Sequence, residues 1–96
     1  MERFEVRDAG DGVVVSEGEL DLDAAPTLRA RLADLSITTI DLAAVRFIDS
    51  SVIGVLLDAH RLREPTGGLR LRRPSVHVQR VLQLSGVDRW LLTEPT

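Results

Sequence analysis

The chain has 96 residues, 44% of them hydrophobic and 28% charged, a balance typical of one soluble globular domain spanning residues 1–96. Its net charge of −3 excludes the basic surface expected for direct nucleic-acid binding, and the absence of cysteine excludes disulfides, thiolate metal sites and thiol catalysis. It has neither a membrane-length apolar run nor an apolar leader after Met1, so we expect a cytoplasmic protein without membrane insertion.

The N-terminal segment has the pattern of a β-hairpin. Phe4 and Val6 alternate with charged residues, which is typical of a half-buried strand. A glycine-rich turn over residues 8–12 separates them from the β-branched run 13–15. The short connection predicts that the two strands pair antiparallel.

The next segment has the pattern of a loop followed by a helix. We interpret residues 18–23 as the loop, with Asp23 as the helix N-cap and Pro26 in the tolerant first turn. The apolar face of this helix, at spacings of four and three, is predicted to comprise Leu28, Leu32 and Leu35.

Strands and helices alternate through the rest of the chain. A strand, a helix, a strand, a helix and a short final strand are predicted over about 37–42, 52–63, 69–72, 75–86 and 90–92. Ser75 is the expected N-cap of the last helix and Gly86 its C-terminal stop. This order predicts an α/β fold with a mixed, mostly parallel sheet of four to five strands, an N-terminal hairpin and helices packed against the sheet.

Motifs of the common enzyme classes are missing from the sequence. His60 lies on an apolar helical face and is interpreted as a packed histidine, whereas His77 is expected to be solvated. No phosphate-binding loop, nucleophile elbow or histidine pair with metal spacing occurs. We therefore predict no enzyme activity, no catalytic residue, no metal site and no cofactor.

Three carboxylates lie close together in the loop that precedes the first helix. Glu19, Asp21 and Asp23 are spaced two residues apart. Such a loop can bind a divalent cation. A solvated loop that contributes one helix cap is the simpler interpretation, and we favour it.

The turn Asp49-Ser50-Ser51 separates an apolar strand pattern from an apolar helix. Polar groups at such a junction lie at the carboxyl edge of a parallel sheet, where binding surfaces commonly form. Helix capping by one of the three residues is an alternative explanation for the turn.

The helix after the turn has apolar residues on two sides. Val55, Asp58 and Leu62 are in register with Ser51, whereas the other side can supply the core with Ile53, Leu56, Leu57 and His60. An exposed apolar row beside a polar turn predicts a protein–protein interface. A helix with a larger buried face is the alternative.

Several motifs in this order resemble those of a known family. The run Gly18-Glu19-Leu20-Asp21, the pair Asp41-Leu42, the run from Phe47 to Ser51 and the 75–86 helix are similar to a STAS domain. More narrowly, the chain resembles the bacterial anti-sigma factor antagonists. The resemblance extends from about Phe4 to Leu92.

The resemblance implies a partner-switching cycle. The unmodified protein would bind an anti-sigma factor that is also a serine kinase and thereby release a sigma factor. The kinase would phosphorylate Ser51, with Ser50 as the less favoured acceptor, and a PP2C-type serine phosphatase would reverse the reaction. The expected partner-binding residues are Asp21, Asp23, Asp49, Ser50, Ser51, Val52, Val55, Asp58 and Leu62.

One residue departs from the family pattern. A glycine usually follows the second serine, whereas this chain has Val52, which we expect to add bulk and stiffen the backbone beside the acceptor.

Two other functions are compatible with the sequence. One is a STAS scaffold or accessory subunit of a stress-signalling or lipid-transport complex, and the other is a small-molecule or nucleotide sensor that uses the acidic loop and the serine turn.

Overall fold

A computed structural model of the protein describes residues 3–86 and 92–94, and its five strands form one sheet. They are β1 (Phe4–Gly10), β2 (Val13–Leu20), β3 (Thr39–Ile48), β4 (Arg70–Arg72) and β5 (Leu92–Glu94). The spatial order follows the chain order; β1 and β2 pair antiparallel and every later neighbour pairs parallel. The predicted hairpin and the mixed, mostly parallel sheet are therefore confirmed.

Three α-helices connect the strands in the predicted order. They are α1 (Ala25–Leu32), α2 (Ser50–Leu62) and α3 (Val76–Leu84), with short 3-10 turns over Leu22–Ala24 and Glu64–Thr66. The Oγ of Ser75 accepts a 3.1 Å hydrogen bond from the backbone N–H of Val78, which confirms the predicted cap of α3.

One core joins the sheet to the helices. In the parallel β2–β3 pair, Val14 lies opposite Ile40 and Leu20 opposite Ile48, and all four side chains are buried. They share the core with buried residues of all three helices, among them Leu28, Leu32, Leu56, Val78 and Leu82. The helices therefore pack against the face of the sheet that carries these strand residues.

The loop predicted over residues 18–23 is wrong in its first half, because β2 continues to Leu20. Gly18, which suggested a loop, lies within the strand at φ 85° next to a shift in register with β3. A Cβ there would lie 2.2 Å from the carbonyl oxygen of Arg3, so glycine is required by the close approach of two backbones. The predicted third strand is also longer, since Thr39–Ile48 forms one element.

The predicted start and end of α1 differ from the observed ones. Asp21, not Asp23, is the capping residue: its side chain accepts a 3.1 Å hydrogen bond from Asp23 N and caps the 3-10 turn before α1. Leu35 is 59% exposed because α1 ends at Leu32. The predicted Pro26 in the first turn is confirmed.

The predicted final strand falls partly outside the described residues, since these do not include Trp90 and Leu91. β5 begins at Leu92, where that prediction ended.

No helix among the described residues combines the length and the apolar character that a membrane span requires.

Candidate functional site

β2 and β3 end side by side at the carboxyl edge of the sheet. Leu20 pairs with Ile48, and the backbone N–H of Asp49 donates a 3.2 Å hydrogen bond to the carbonyl oxygen of Leu20. The serine turn is therefore attached to the end of β2 as well as to β3. Residues that follow β2, including Asp21, lie at the same edge, where parallel sheets commonly bind their ligands.

Asp49 caps α2, so the capping role that the sequence offered as an alternative is confirmed for this residue. Its Oδ1 accepts hydrogen bonds from the backbone N–H groups of Ser51 and Val52 at 3.0 and 3.3 Å. The helix consequently begins at Ser50, two residues earlier than predicted. Neither serine is needed as a cap, so their hydroxyls are available for another role.

The two serines differ in exposure and in their contacts. Ser50 is exposed, and its hydroxyl makes no hydrogen bond within the described part of the chain. Ser51 is half-buried, and its hydroxyl donates a 2.5 Å hydrogen bond to Oδ1 of Asp49. One serine is thus free to rotate, whereas the other is held against the capping carboxylate.

Val52 and Val55 do not lie on the surface, contrary to the predicted interface. Val52 is fully buried, so its β-branched bulk fills the core and is not presented beside Ser51 to a partner. Val55 is 3% exposed, and the predicted exposed row through it is wrong. It lines a small cavity of about 100 Å³ with Leu32 and Ala33, because α1 covers this side of α2.

The other two residues of the predicted row are accessible. Leu62 is 62% exposed, and Asp58 is half-exposed. The Asp58 carboxylate forms ion pairs with Arg29 of α1 at 3.2 Å and with Arg61 at 3.8 Å. These two residues flank the cavity between α1 and α2. They do not form one continuous exposed row with Ser51, because Val55 lies between them and is buried.

A different row of residues extends from the turn along the outside of α2. Gly54 is exposed, as is Arg61 two turns further on, and both are in helical register with the exposed Ser50. A Cβ built at Gly54 would meet nothing within 4 Å. The accessible side of α2 is therefore flat beside the serines, and the α-carbon of Gly54 can be approached closely.

The acidic loop is held by an arginine. The guanidinium of Arg3 bonds to Asp21 and lies 3.4 Å from Oδ2 of Asp23 and 3.9 Å from Oε2 of Glu19. The described residues contain no group of three or more histidines or carboxylates arranged to hold a metal ion. This geometry matches the favoured interpretation of a solvated loop with one cap, with Asp21 and not Asp23 as the capping residue.

Two apolar residues at the same edge were missed in the sequence. Leu22 is 68% exposed in the 3-10 turn after β2, and Phe47 is 40% exposed at the end of β3. Phe47 pairs with Glu19 just after a shift in register, so strict alternation from the buried Val45 would have placed it on the buried face and did not indicate its exposure. We call Leu22, Phe47, Ser50, Ser51 and Gly54 the turn surface.

The interpretation of His60 as a packed histidine is confirmed. Its Nδ1 accepts a 3.1 Å hydrogen bond from the backbone N–H of Leu69, which joins α2 to the start of β4. A Cβ at Gly68 would lie 2.4 Å from the imidazole, so the ring fits closely against the chain. His77 is exposed on α3.

A family model and a curated relative both match this chain over most of its length. The family described as "Mlab, STAS domain" matches residues 4–94. An anti-sigma F factor antagonist from Lysinibacillus sphaericus is 34% identical over 82 residues, covering 78% of this chain and 70% of that protein.

Solved structures of antagonists are similar over nearly the whole chain. The unphosphorylated form of the anti-sigma factor antagonist SpoIIAA is 31% identical with a TM-score of 0.70, and the match covers 96% of this chain and 88% of that one. The phosphorylated form of the Bacillus cell fate determinant SpoIIAA is 30% identical with a TM-score of 0.63, covering 96% and 91%.

Proposed function

The chain belongs to the STAS domain family, and we propose that within it this protein acts as an anti-sigma factor antagonist controlled by phosphorylation of Ser51. The observation that carries the proposal is the Asp49-Ser50-Ser51 turn, which lies at the carboxyl edge of the sheet with a hydroxyl at the start of α2. The similarity to antagonists, one of them in a phosphorylated form, supports the same function.

In the proposed cycle the unmodified protein binds a cytoplasmic anti-sigma factor that is also a serine kinase, and a sigma factor is released. The Ser51 oxygen then attacks the γ-phosphorus of ATP. An Oγ–P bond forms, the bond from phosphorus to the β,γ-bridging oxygen breaks, ADP leaves and the hydroxyl proton passes to a base of the kinase. A PP2C-type serine phosphatase hydrolyses the phosphoserine and restores binding.

The turn surface has the chemistry of a small recognition site. Leu22 and Phe47 offer exposed apolar groups near the end of β2 and β3, and Gly54 permits close backbone approach. Carboxylates lie at the same edge of the sheet: Asp21 and Asp23 flank Leu22 in the chain, and Asp49 caps α2. A partner that fits would present apolar pockets with basic residues at their rim.

The buried valines take no part in this proposed contact. Val52 and Val55 are replaced as contact residues by Leu22, Phe47 and Gly54. Asp58 and Leu62 remain at the far end of α2 as peripheral contacts.

Phosphorylation ends binding through charge at this surface and not by unfolding the domain. A phosphate adds a charge of about −1.5 to −2 at neutral pH. At the start of a helix such a charge is favourable for the protein itself. The same charge is unfavourable beside the carboxylates and apolar groups that an interface must desolvate.

A phosphorylation assay tests the proposal. The chain would be incubated with ATP and a kinase-type anti-sigma factor from its own genome, and the phosphate located by mass spectrometry. We expect stoichiometric label on Ser51, lost in Ser51→Ala and kept in the matched control Ser50→Ala. Label on Ser50 alone would reassign the acceptor, and no label with any such kinase would overturn the proposal.

A second candidate is a STAS scaffold subunit of a stress-signalling or lipid-transport complex that needs no modification. The family that matches residues 4–94 is described as "Mlab, STAS domain", which is compatible with this function as well as with antagonism. Stable association with an assembly that is equal for the protein and for Ser51→Asp would favour this function over partner switching.

A further inference from the structure

The carboxylate of Asp49 has two roles at one oxygen. Its Oδ1 accepts both backbone N–H bonds that cap α2 and also the hydroxyl of Ser51. The residue itself is fixed, because its N–H donates to the carbonyl oxygen of Leu20 and its own carbonyl oxygen accepts from Ile53 N at 3.1 Å. The proposed phosphoacceptor is therefore bonded directly to the group that begins the helix.

This bond orients the acceptor in the unmodified protein. A serine hydroxyl has one proton and two lone pairs, and the proton of Ser51 is directed at Asp49. The lone pairs consequently point away from the carboxylate. Ser50, whose hydroxyl makes no such bond within the described residues, has no comparable constraint.

A phosphate on Ser51 cannot coexist with this arrangement. The hydroxyl proton is lost on esterification, so the bond to Asp49 disappears. An anion of about −1.5 to −2 then lies beside a carboxylate, and both are acceptors for the same two N–H groups. Two anions cannot share these donors without strong repulsion.

We infer that phosphorylation of Ser51 transfers the cap of α2 from Asp49 to the phosphate. The inference rests on the proposed function for its biological setting, and it makes Asp49 a positioning residue in the unmodified state alone. In the unmodified chain Asp49 orients the hydroxyl and begins the helix. In the phosphorylated chain the phosphate takes the N–H groups of Ser51 and Val52, and the released Asp49 carboxylate turns outward as a second negative charge on the turn surface.

The test is a thermodynamic cycle on chains with phosphoserine placed at position 51 during synthesis, so that no kinase is involved. Asp49→Ala removes the cap, and in the unmodified chain we expect it to raise the unfolding equilibrium constant about fivefold. In the phosphorylated chain the same substitution should leave that constant unchanged or lower it. The matched control is Ser75→Ala, which removes the cap of α3 and should raise the constant in both chains.

A second measurement uses Asp49→Asn, which keeps an oxygen acceptor and removes only the charge. We expect the second pKa of the phosphate, followed by ³¹P NMR, to fall by no more than about 0.5 unit in this variant, because the released carboxylate has turned away from the phosphate. An equal effect of Asp49→Ala in both chains, a fall of well over about 1 unit in the phosphate pKa of Asp49→Asn, or global unfolding of the phosphorylated chain would each overturn the inference.

These outcomes are separate from those of the kinase assay. If no kinase labels Ser51, the proposed function fails, while the cycle on the synthetic phosphoserine still reports whether the cap moves. If the kinase labels Ser51 and Asp49→Ala is equally costly in both chains, the proposed function stands and the transfer of the cap is wrong.

Discussion

The guanidinium of Arg63 donates a 2.7 Å hydrogen bond from Nη2 to the carbonyl oxygen of Leu32, the last residue of α1. It also donates to the carbonyl oxygens of Asp34, Ala59 and Ile37 at 2.9, 2.9 and 2.7 Å. Arg63 is only 3% exposed, and burial lowers its pKa, an effect that the charge of Asp34 partly offsets. One buried cation thus joins the end of α1, the last turn of α2 and the segment that enters β3.

Replacing Arg63 should destabilise the whole domain. In Arg63→Met four carbonyl oxygens lose their donor in a buried setting, and we expect the free energy of unfolding to fall by about 3 kcal/mol. Urea unfolding followed by circular dichroism measures it. The neighbouring Arg61→Met, which removes only an exposed ion pair with Asp58, should cost under about 0.5 kcal/mol. Equal stability of the two variants would contradict this role.

The role of Arg63 could not be predicted from the sequence, because its partners are backbone carbonyls up to 31 residues away. A basic residue after a helical pattern is normally solvated, and no local signal distinguishes this one. Local signals did predict the hairpin, the order of the elements and Ser75 as a cap, since each depends on turn chemistry or on periodicity within one segment.

The same difference between local signals and long-range contacts explains which parts of the candidate site could be predicted from the sequence. The turn at residues 49–51 was predicted, because a strand pattern ends there and a helix pattern begins. The exposed row was misplaced, because periodicity shows that two sides of α2 are apolar and does not show that α1 covers Val55. Leu22 and Phe47 were missed because their exposure depends on where β2 and β3 end relative to each other.

The burial of Val55 can be tested by comparing its effect on stability with that of the exposed Leu62 on the same helix. Val55→Ala should lower the free energy of unfolding by about 2 kcal/mol, because the removed methyl groups lie in the contact between α1 and α2. Leu62→Ala removes more atoms but from an exposed position, so it should cost under about 0.5 kcal/mol. Thermal and urea unfolding of both variants would reveal a reversed order if Val55 were the accessible residue.

An ion pair between the buried Asp41 of β3 and the exposed Arg73 determines one part of the pH dependence of stability. Asp41 in β3 is 3% exposed, and this burial acts to raise its pKa. Hydrogen bonds from Arg73 and from the backbone N–H of Ala43 outweigh the effect of burial and hold the pKa of Asp41 below its ordinary value. Because the folded form binds this proton less readily than the unfolded form, the carboxylate stabilises the fold above the unfolded pKa of about 3.9. That contribution is lost as the pH falls from about 4 through the lowered folded value.

We therefore expect the free energy of unfolding to decline less steeply below about pH 4 in Asp41→Asn than in the unsubstituted chain. Arg73→Gln removes the partner charge and should flatten the same region, because the pKa of Asp41 then rises towards its unfolded value. Urea unfolding at a series of pH values measures both slopes. If neither substitution changes the slope, the pair does not contribute to acid unfolding.

Gly54 allows recognition to be tested separately from stability. The position is exposed and a Cβ there would have open space around it, so Gly54→Ala should stabilise α2 by about 0.8–1 kcal/mol through helix propensity alone. Gly54→Arg also fits the fold but adds a long side chain beside Ser50. We expect it to weaken binding to the anti-sigma factor at least tenfold, or about 1.4 kcal/mol, without any loss of thermal stability.

The control for added bulk and charge is Leu84→Arg, because Leu84 is 83% exposed on α3, a helix that contributes no residue to the turn surface. It should leave binding unchanged when both variants are measured by titration calorimetry with the unmodified chain as reference. Equal binding by Gly54→Arg and the unsubstituted chain would show that the partner does not cover the outside of α2. In that case Leu22 and Phe47, the residues of the turn surface that precede the serine turn in the chain, would be the next to substitute.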